Sequence, residues 1–288
     1  MTEGLPAALE TWLAEQGCGA VTALLPVGGG CINDGARLRT QSGRIFFLKR
    51  NRQAPADLFE REAEGLAALA QAPGGPRIPQ VYLVGVDFLL LEDLAPALRR
   101  ADYWPELGRQ LARLHGTVAA GFGFAHDNYI GSTPQPNRWT ADGTAFFAEQ
   151  RLLFQAELAR RRGLLPAAAL RQVERLCARL PELIPAQPAS LLHGDLWSGN
   201  AISDERGAPA LIDPAAYYGW AEAELAMTAL FGGFPEAFYQ AYESERPLVK
   251  GASGRFAIYN LYHLLNHLNL FGMGYLAEVQ ATLIRYGA

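Results

Sequence analysis

An aspartate and an asparagine five positions apart, Asp195 and Asn200, sit in the run Leu191-Leu192-His193-Gly194-Asp195-Leu196-Trp197-Ser198-Gly199-Asn200. A short irregular loop can turn both side chains toward one centre. The carboxylate would accept a hydroxyl proton, and the amide oxygen would reach a Mg²⁺ on phosphates. Further on, Ala208-Pro209-Ala210-Leu211-Ile212-Asp213 reads as a short apolar strand ending in a carboxylate, the place for the principal Mg²⁺ ligand. Two other readings use the same residues: a metallohydrolase site built from His193, Asp195 and Asp213, or an Asx-rich loop without chemistry.

Upstream residues bear on that choice. Gly28-Gly29-Gly30-Cys31-Ile32-Asn33 joins two strand-like runs, and a triple glycine lets backbone N–H groups approach a phosphate without Cβ obstruction. It is not a dinucleotide fingerprint, because a strand rather than a helix follows. Taken alone, it is equally a tight β-turn. Lys49 ends the apolar run Ile45-Phe46-Phe47-Leu48, where a lysine is ordinarily a solvated edge residue. Glu62 changes that reading. On a helical wheel at about 100° per residue, Leu58, Leu66 and Leu69 form one stripe with Glu62 in its middle, while Glu60 and Glu64 point away. A carboxylate in an apolar stripe requires a buried cation, and Lys49 on the preceding strand is the candidate. A strand lysine paired with a helix glutamate behind a glycine loop is the nucleotide-anchoring arrangement of protein kinases. The hydrolase reading leaves these three features without a role. A non-catalytic ATP-binding pseudokinase does not require Lys49, Glu62, Asp195, Asn200 and Asp213 together.

The elements that must position these residues fall into two blocks. Residues 5–17 read as an amphipathic helix. Strand-like runs at 21–27, 34–40, 45–50, 81–86 and 88–92 predict a five-stranded antiparallel sheet. A helix spans about Asp57, its expected N-cap, to Ala72 and stops at Pro73-Gly74-Gly75-Pro76. Beyond Trp104 the period is helical, with helices expected at 103–119, 143–162, 166–180, 220–231, 234–244, 252–270 and 273–286. An irregular stretch from Ser190 to Tyr218 interrupts them. The expected fold class is α+β, a bilobal protein-kinase-like fold. Residues 1–93 would form the small nucleotide-binding lobe, and 94–288 the large helical lobe for catalysis and acceptor binding.

Composition narrows the function classes. The 288 residues are 50% apolar and 19% charged, which fits a globular chain. A net charge of -4 argues against nucleic-acid binding by bulk electrostatics. Cys18, Cys31 and Cys177 are too few and scattered for a disulfide framework or a zinc ribbon. No signal peptide is visible at the start, and no run reaches the roughly 18 to 20 apolar residues of a spanning helix. The expectation is a cytoplasmic protein with no membrane and no nucleic-acid partner.

Beyond these readings, the chain resembles the fructosamine-3-kinase (ketosamine-3-kinase) family. The resemblance rests on the glycine loop, Phe122-Gly123-Phe124, Asp127-Asn128-Tyr129-Ile130-Gly131 and Thr133-Pro134-Gln135-Pro136-Asn137. It rests most specifically on His193 to Asn200 and on Asp213-Pro214-Ala215-Ala216-Tyr217-Tyr218-Gly219. Leu225-Ala226-Met227, Leu230 to Phe234 and Leu261 to His267 add to it. The resemblance implies the aminoglycoside-phosphotransferase-like branch of the kinase fold. It also implies ATP-dependent phosphorylation of the 3-hydroxyl of a small-molecule ketosamine or a glycated protein, a deglycation role. The neighbouring enzyme reading is an aminoglycoside or amino-alcohol phosphotransferase.

Carried over residue by residue, the resemblance implies that Gly28, Gly29, Gly30 and Lys49 hold the phosphates of ATP and that Glu62 orients Lys49. The linker from Leu90 to Leu94, including Glu92 and Leu94, would meet adenine through its backbone. Asp195 would be the base, and Asn200 and Asp213 the Mg²⁺ ligands. On the acceptor side, Trp197 could form an aromatic wall, and His267 is the residue of its helix with family support. Arg255, Tyr259, Tyr262 and Asn266 share one helix face, which fits either a pocket lining or a packing seam, and His115 reads as structural. The family's usual His and Asp are replaced by Trp220 and Glu224 on a helix expected to buttress the catalytic loop. Cys31, in the glycine loop, suggests a possible redox-linked homodimer.

Overall fold

A computed structural model describes residues 4–28 and 33–287. Gly29, Gly30 and Cys31 of the glycine loop lie outside the described residues. The first element is α1 (Ala7–Glu15), followed by β1 (Val21–Val27), β2 (Asp34–Thr40) and β3 (Ile45–Arg50). Then come α2 (Leu58–Ala70), β4 (Val81–Val84) and β5 (Phe88–Glu92). The strands form one antiparallel sheet in the order β1-β2-β3-β5-β4.

Strand alternation explains how this sheet presents its chemistry. Phe46 and Leu48 on β3, with Phe88 and Leu90 on β5, pack with Leu9 and Leu13 of α1. On the opposite face, Phe47, Leu89 and Leu91 pack with Leu58, Phe59 and Leu66 of α2. A period of two therefore sends Lys49 to the α2 face, next to the apolar stripe that contains Glu62.

The larger lobe is mostly helical: α3 (Tyr103–Leu114), α4 (Gly143–Phe147), α5 (Phe154–Arg161), α6 (Ala167–Leu183), α7 (Ala221–Leu230), α8 (Glu236–Glu245), α9 (Ala252–Phe271) and α10 (Leu276–Arg285). A π-helical turn at Ala148–Leu153 joins α4 to α5. Short strands supply the rest: β6 (Val118–Ala119), β7 (Asn128–Ile130), β8 (Thr133–Gln135), β9 (Ala189–Leu192), β10 (Ala201–Ser203), β11 (Pro209–Leu211) and β12 (Tyr217–Gly219). The fold is bilobal and kinase-like, with a small antiparallel-sheet lobe and a large helical one. No helix among the described residues is long and apolar enough to cross a membrane.

Three local expectations are corrected. The helix expected to reach residue 119 ends at Leu114, because Val118 and Ala119 pair with Ser190 and Ala189 of β9. The β7–β8 hairpin arises in a stretch with no helical or strand period. Asp57 precedes α2 but its side chain makes no capping hydrogen bond; it accepts one from the Tyr129 hydroxyl instead, at 2.7 Å.

Three histidines, His115, His193 and His263, lie buried in the large lobe. His115 meets the Tyr242 hydroxyl through Nδ1 at 2.8 Å and Glu224 through Nε2 at 3.1 Å, so it is the structural residue expected. His263 Nδ1 is buried without a hydrogen-bond partner. Desolvation holds the rings of His115 and His263 neutral, lowering the pKa of His115 and bringing that of His263 down to about 3. The unfolded chain regains protons near the ordinary value of 6.5, which the native state refuses. Stability is therefore complete above that pH and falls as pH drops below it. The slope is up to about 1.4 kcal/mol per pH unit for each histidine. Between pH 7.5 and pH 5.5 the melting temperature of His263→Asn is expected to fall less, or rise more, than that of the wild type; identical pH profiles would contradict this.

Candidate active site

The lobes enclose a cleft of about 370 Å³, and Lys49 lines it. Its ammonium is 2.6 Å from Glu62 Oε1 and 2.9 Å from Asp213 Oδ1, with the lysine only 4% exposed. Burial alone would lower the lysine pKa, but the two carboxylates hold it well above the ordinary range. Burial raises the pKa of Glu62, opposed by the Lys49 charge. One cation serves two carboxylates, so the cluster carries net negative charge and favours a further cation.

Asp213 follows β11 by two residues and adopts the left-handed conformation, with φ 57°. Here the chain leaves β11 and turns beneath the cleft. The next residues brace the catalytic loop: Ala215 N–H donates to the His193 carbonyl at 2.9 Å, and His193 Nε2 meets the Ile212 carbonyl at 2.8 Å. Gly194, at φ 85°, has no room for a Cβ against the Ala215 carbonyl. Asp195 is half-buried at the cleft wall. Burial first, then the neighbouring Asp213 charge, lifts its carboxyl to about 7. Asn200 closes the loop, its Nδ2 donating to the Asp195 carbonyl at 2.8 Å and to Oδ2 at 3.3 Å.

Glu224 on α7 fixes this loop from below. Its carboxylate accepts the backbone N–H of His193 at 2.9 Å and of Gly194 at 2.7 Å, and it also meets His115. Burial pushes its pKa up, but the bonds from His115 and the backbone outweigh this and hold it low. Trp220 is buried one turn earlier among Phe122, Phe147 and Tyr259, away from the loop.

Gly28, Lys49, Glu62, Glu92, Leu94, Asp195, Trp197, Asn200 and Asp213 all line the cleft. The Trp197 ring covers Gly199, where a Cβ would collide with it. The Glu92 side chain is engaged by Arg77 at 2.6 Å, so any contact it makes with a ligand falls to its backbone. His267 is not among the lining residues. Its ring packs on Phe231, Phe271 and Tyr275, and its Nδ1 meets the His263 carbonyl. The polar face of α9 is a packing seam: Arg255 and Tyr259 bond Glu222, and Tyr262 bonds Gln135. Asn128, Tyr129 and Gly131 line the cleft although sequence reading gave them no site role. The available signal was an amide and a phenol in a stretch dense in turn residues.

Two further points concern cysteines and metals. A homodimer linked through Cys31 does not stand. Cys18 and Cys177 are free, Cys18 is buried, and burial pushes the Cys177 thiol up to about 12. Cys31 itself lies outside the described residues, and nothing observed supports a linked pair. No group of three or more His, Cys, Asp or Glu among the described residues could hold a metal ion by itself.

Glu224→Ala would leave two buried N–H groups of the catalytic loop and His115 without their acceptor. A loss of about 3 kcal/mol or more is expected in denaturant unfolding. A loss under about 1 kcal/mol would show that the loop is held by other means.

The chain was compared with known proteins. The family model for fructosamine kinase matches residues 7–286. A probable ketoamine kinase of Synechocystis sp. is 45% identical over 265 residues, covering 89% of this chain and 88% of its own length. The chloroplastic protein-ribulosamine 3-kinase of Oryza sativa subsp. indica is 38% identical over 288 residues, covering 96% of this chain and 83% of its own. The crystal structure of a candidate fructosamine-3-kinase from Thermobifida fusca superposes with a TM-score of 0.87 at 33% identity, covering 98% of both chains. With a cleft that gathers Lys49, Glu62, Asp195, Asn200 and Asp213, and a family match along nearly its whole length, the chain belongs to the fructosamine kinase family.

Proposed function

We propose that this chain is an ATP-dependent kinase that phosphorylates the sugar 3-hydroxyl of a ketosamine, of the fructosamine or ribulosamine type, free or carried on a glycated protein. Family membership supports the reaction class, and the names of the rice and Thermobifida proteins support the substrate class and the 3-position. One observation carries the reading: a single buried ammonium bridges a helix glutamate and Asp213 in the same cleft as the Asp195 carboxylate.

The roles follow from the chemistry of each group. Lys49 places a fixed positive charge where phosphate oxygens would lie, and Glu62 keeps it there. Asp195, with its pKa raised to about 7, can take the proton of the attacking hydroxyl. The amide bond from Asn200 holds Asp195 in place. The Asp213 carboxylate and the Asn200 amide oxygen would hold Mg²⁺, which when bound neutralises phosphate charge. Leu94 and the backbone of Glu92 lie where an adenine edge would enter, and Gly28 with the rest of the glycine loop would meet the phosphates. Trp197 would give the sugar an apolar wall. The lobe boundary is placed at residues 93/94, and a cytoplasmic location accords with the sparse cysteines.

Two variants test the assignment together. Asp195→Asn is expected to bind nucleotide normally while turnover falls about 10² to 10⁴-fold, the usual loss on removing a general base. Asp213→Ala should lose the Mg²⁺ dependence of nucleotide affinity, measured by titration with and without the metal. Near-normal turnover in the first, or unchanged metal dependence in the second, would overturn the corresponding role.

A further inference from the structure

The β7–β8 hairpin belongs to the large lobe, yet it touches the helix of the small lobe that carries Glu62. Its base is firmly braced. Asn128 Nδ2 donates to the Ala216 carbonyl at 2.8 Å, and Gln135 Nε2 donates to Asn128 Oδ1 at 2.7 Å and to the Ala215 carbonyl at 3.0 Å. Arg151, wholly buried in the π-helical turn, donates to the Pro136 carbonyl at 2.6 Å and to Asn137 Oδ1 at 2.8 Å, with its guanidinium 4.0 Å from the Tyr217 ring centre. The hairpin is thus bound to the segment just after Asp213.

From the middle of β7, Tyr129 reaches out of the large lobe. Its ring packs against the cluster of Leu58, Phe59 and Leu66 on α2. Its hydroxyl donates to Asp57 Oδ1 at 2.7 Å, directly before the first turn of α2. An aspartate there ordinarily caps its own helix; Asp57 forgoes that bond and serves the other lobe. Four residues after Asp57, Arg61 lies 3.6 Å from its carboxylate and 2.7 Å from Glu64, and Glu64 meets His126 next to the hairpin at 3.1 Å. On its inner side, α2 comes so close to residues 214–216 that a Cβ on Gly65 would lie 3.3 Å from that of Ala216.

We infer that Tyr129 is a positioning residue: through its bond to Asp57 the hairpin fixes α2 against the large lobe, and so sets Glu62 and Lys49 for the nucleotide. Tyr129 and Gly131 also line the same cleft as Trp197 and Asp195, so the segment that holds the helix of Glu62 is itself part of the cleft wall. Burial and the Asp57 carboxylate both keep the Tyr129 phenol protonated, its pKa pushed up to about 12, as a donor must be. This inference rests on the kinase reading above.

The test is a double-mutant cycle read as affinity for Mg·ATP, which involves no acceptor. Tyr129→Phe keeps the ring and deletes the donor; Asp57→Ala deletes the acceptor and lies outside the cleft lining. Each is expected to weaken nucleotide binding about three- to tenfold, the range of one ordinary net hydrogen bond. The double variant should be no weaker than either alone, and Asp57→Asn, which keeps an acceptor oxygen, should recover most of the affinity. The inference is overturned if the two effects add, if Asp57→Ala is silent, or if Tyr129→Phe changes only the KM of the ketosamine. Failure of the wild type to bind Mg·ATP would sink the kinase reading along with it, whereas normal binding with silent or additive variants would remove the latch alone.

Discussion

The ammonium of Lys49, buried between Glu62 and Asp213, is the interaction on which the rest of the structure depends. Removing one partner from a buried ion pair typically costs about 3 to 5 kcal/mol, because the charge left behind has neither water nor counterion. Here the three partners come from β3, from α2 and from the turn after β11, so both lobes are committed to one point. The sheet delivers Lys49 by strand alternation, and the helix delivers Glu62 by its 3.6-residue period. Two carboxylates around one lysine are under-neutralised, which suits a cluster that would receive a metal together with a nucleotide.

The catalytic loop is held by a different means. It makes no ion pair of its own, and its conformation is fixed by backbone groups: two N–H donors taken by Glu224, and carbonyls of His193 and Ile212 bonded across to the neighbouring segment. Glutamate and aspartate both present two oxygens to such donors. Glu224, where the resemblance leads one to expect an aspartate, takes both N–H donors of the loop and meets His115 as well. Trp220 enters a nest of aromatic rings and leaves the cleft untouched.

What could be read from the sequence, and what could not, follows from the range of the interactions involved. Glu62 was legible because a charged residue in an apolar stripe is a contradiction that only a buried partner resolves. Asp195 and Asn200 were legible because one short loop sets their geometry, and Asp213 because it follows a short apolar strand. The β7–β8 hairpin was not, since its strands are three residues long and its bonds run to Ala215 and Ala216, about eighty positions away. Asp57 has the residue type of a helix cap, but its partner is a tyrosine from the other lobe. His267 had family support as an acceptor contact, but periodicity could not show that its ring meets Phe231 and Tyr275.

The central claim is that the Lys49–Glu62 pair sets the phosphate anchor, and the most direct measurement is the turnover of Glu62→Gln at saturating Mg·ATP, with its melting temperature recorded alongside. Glutamine matches the shape of glutamate and keeps an oxygen for the lysine, but it removes the charge. The account predicts a folded protein whose turnover falls by at least about tenfold, equivalent to roughly 1.4 kcal/mol of lost transition-state stabilisation. A folded variant turning over at the wild-type rate would contradict it.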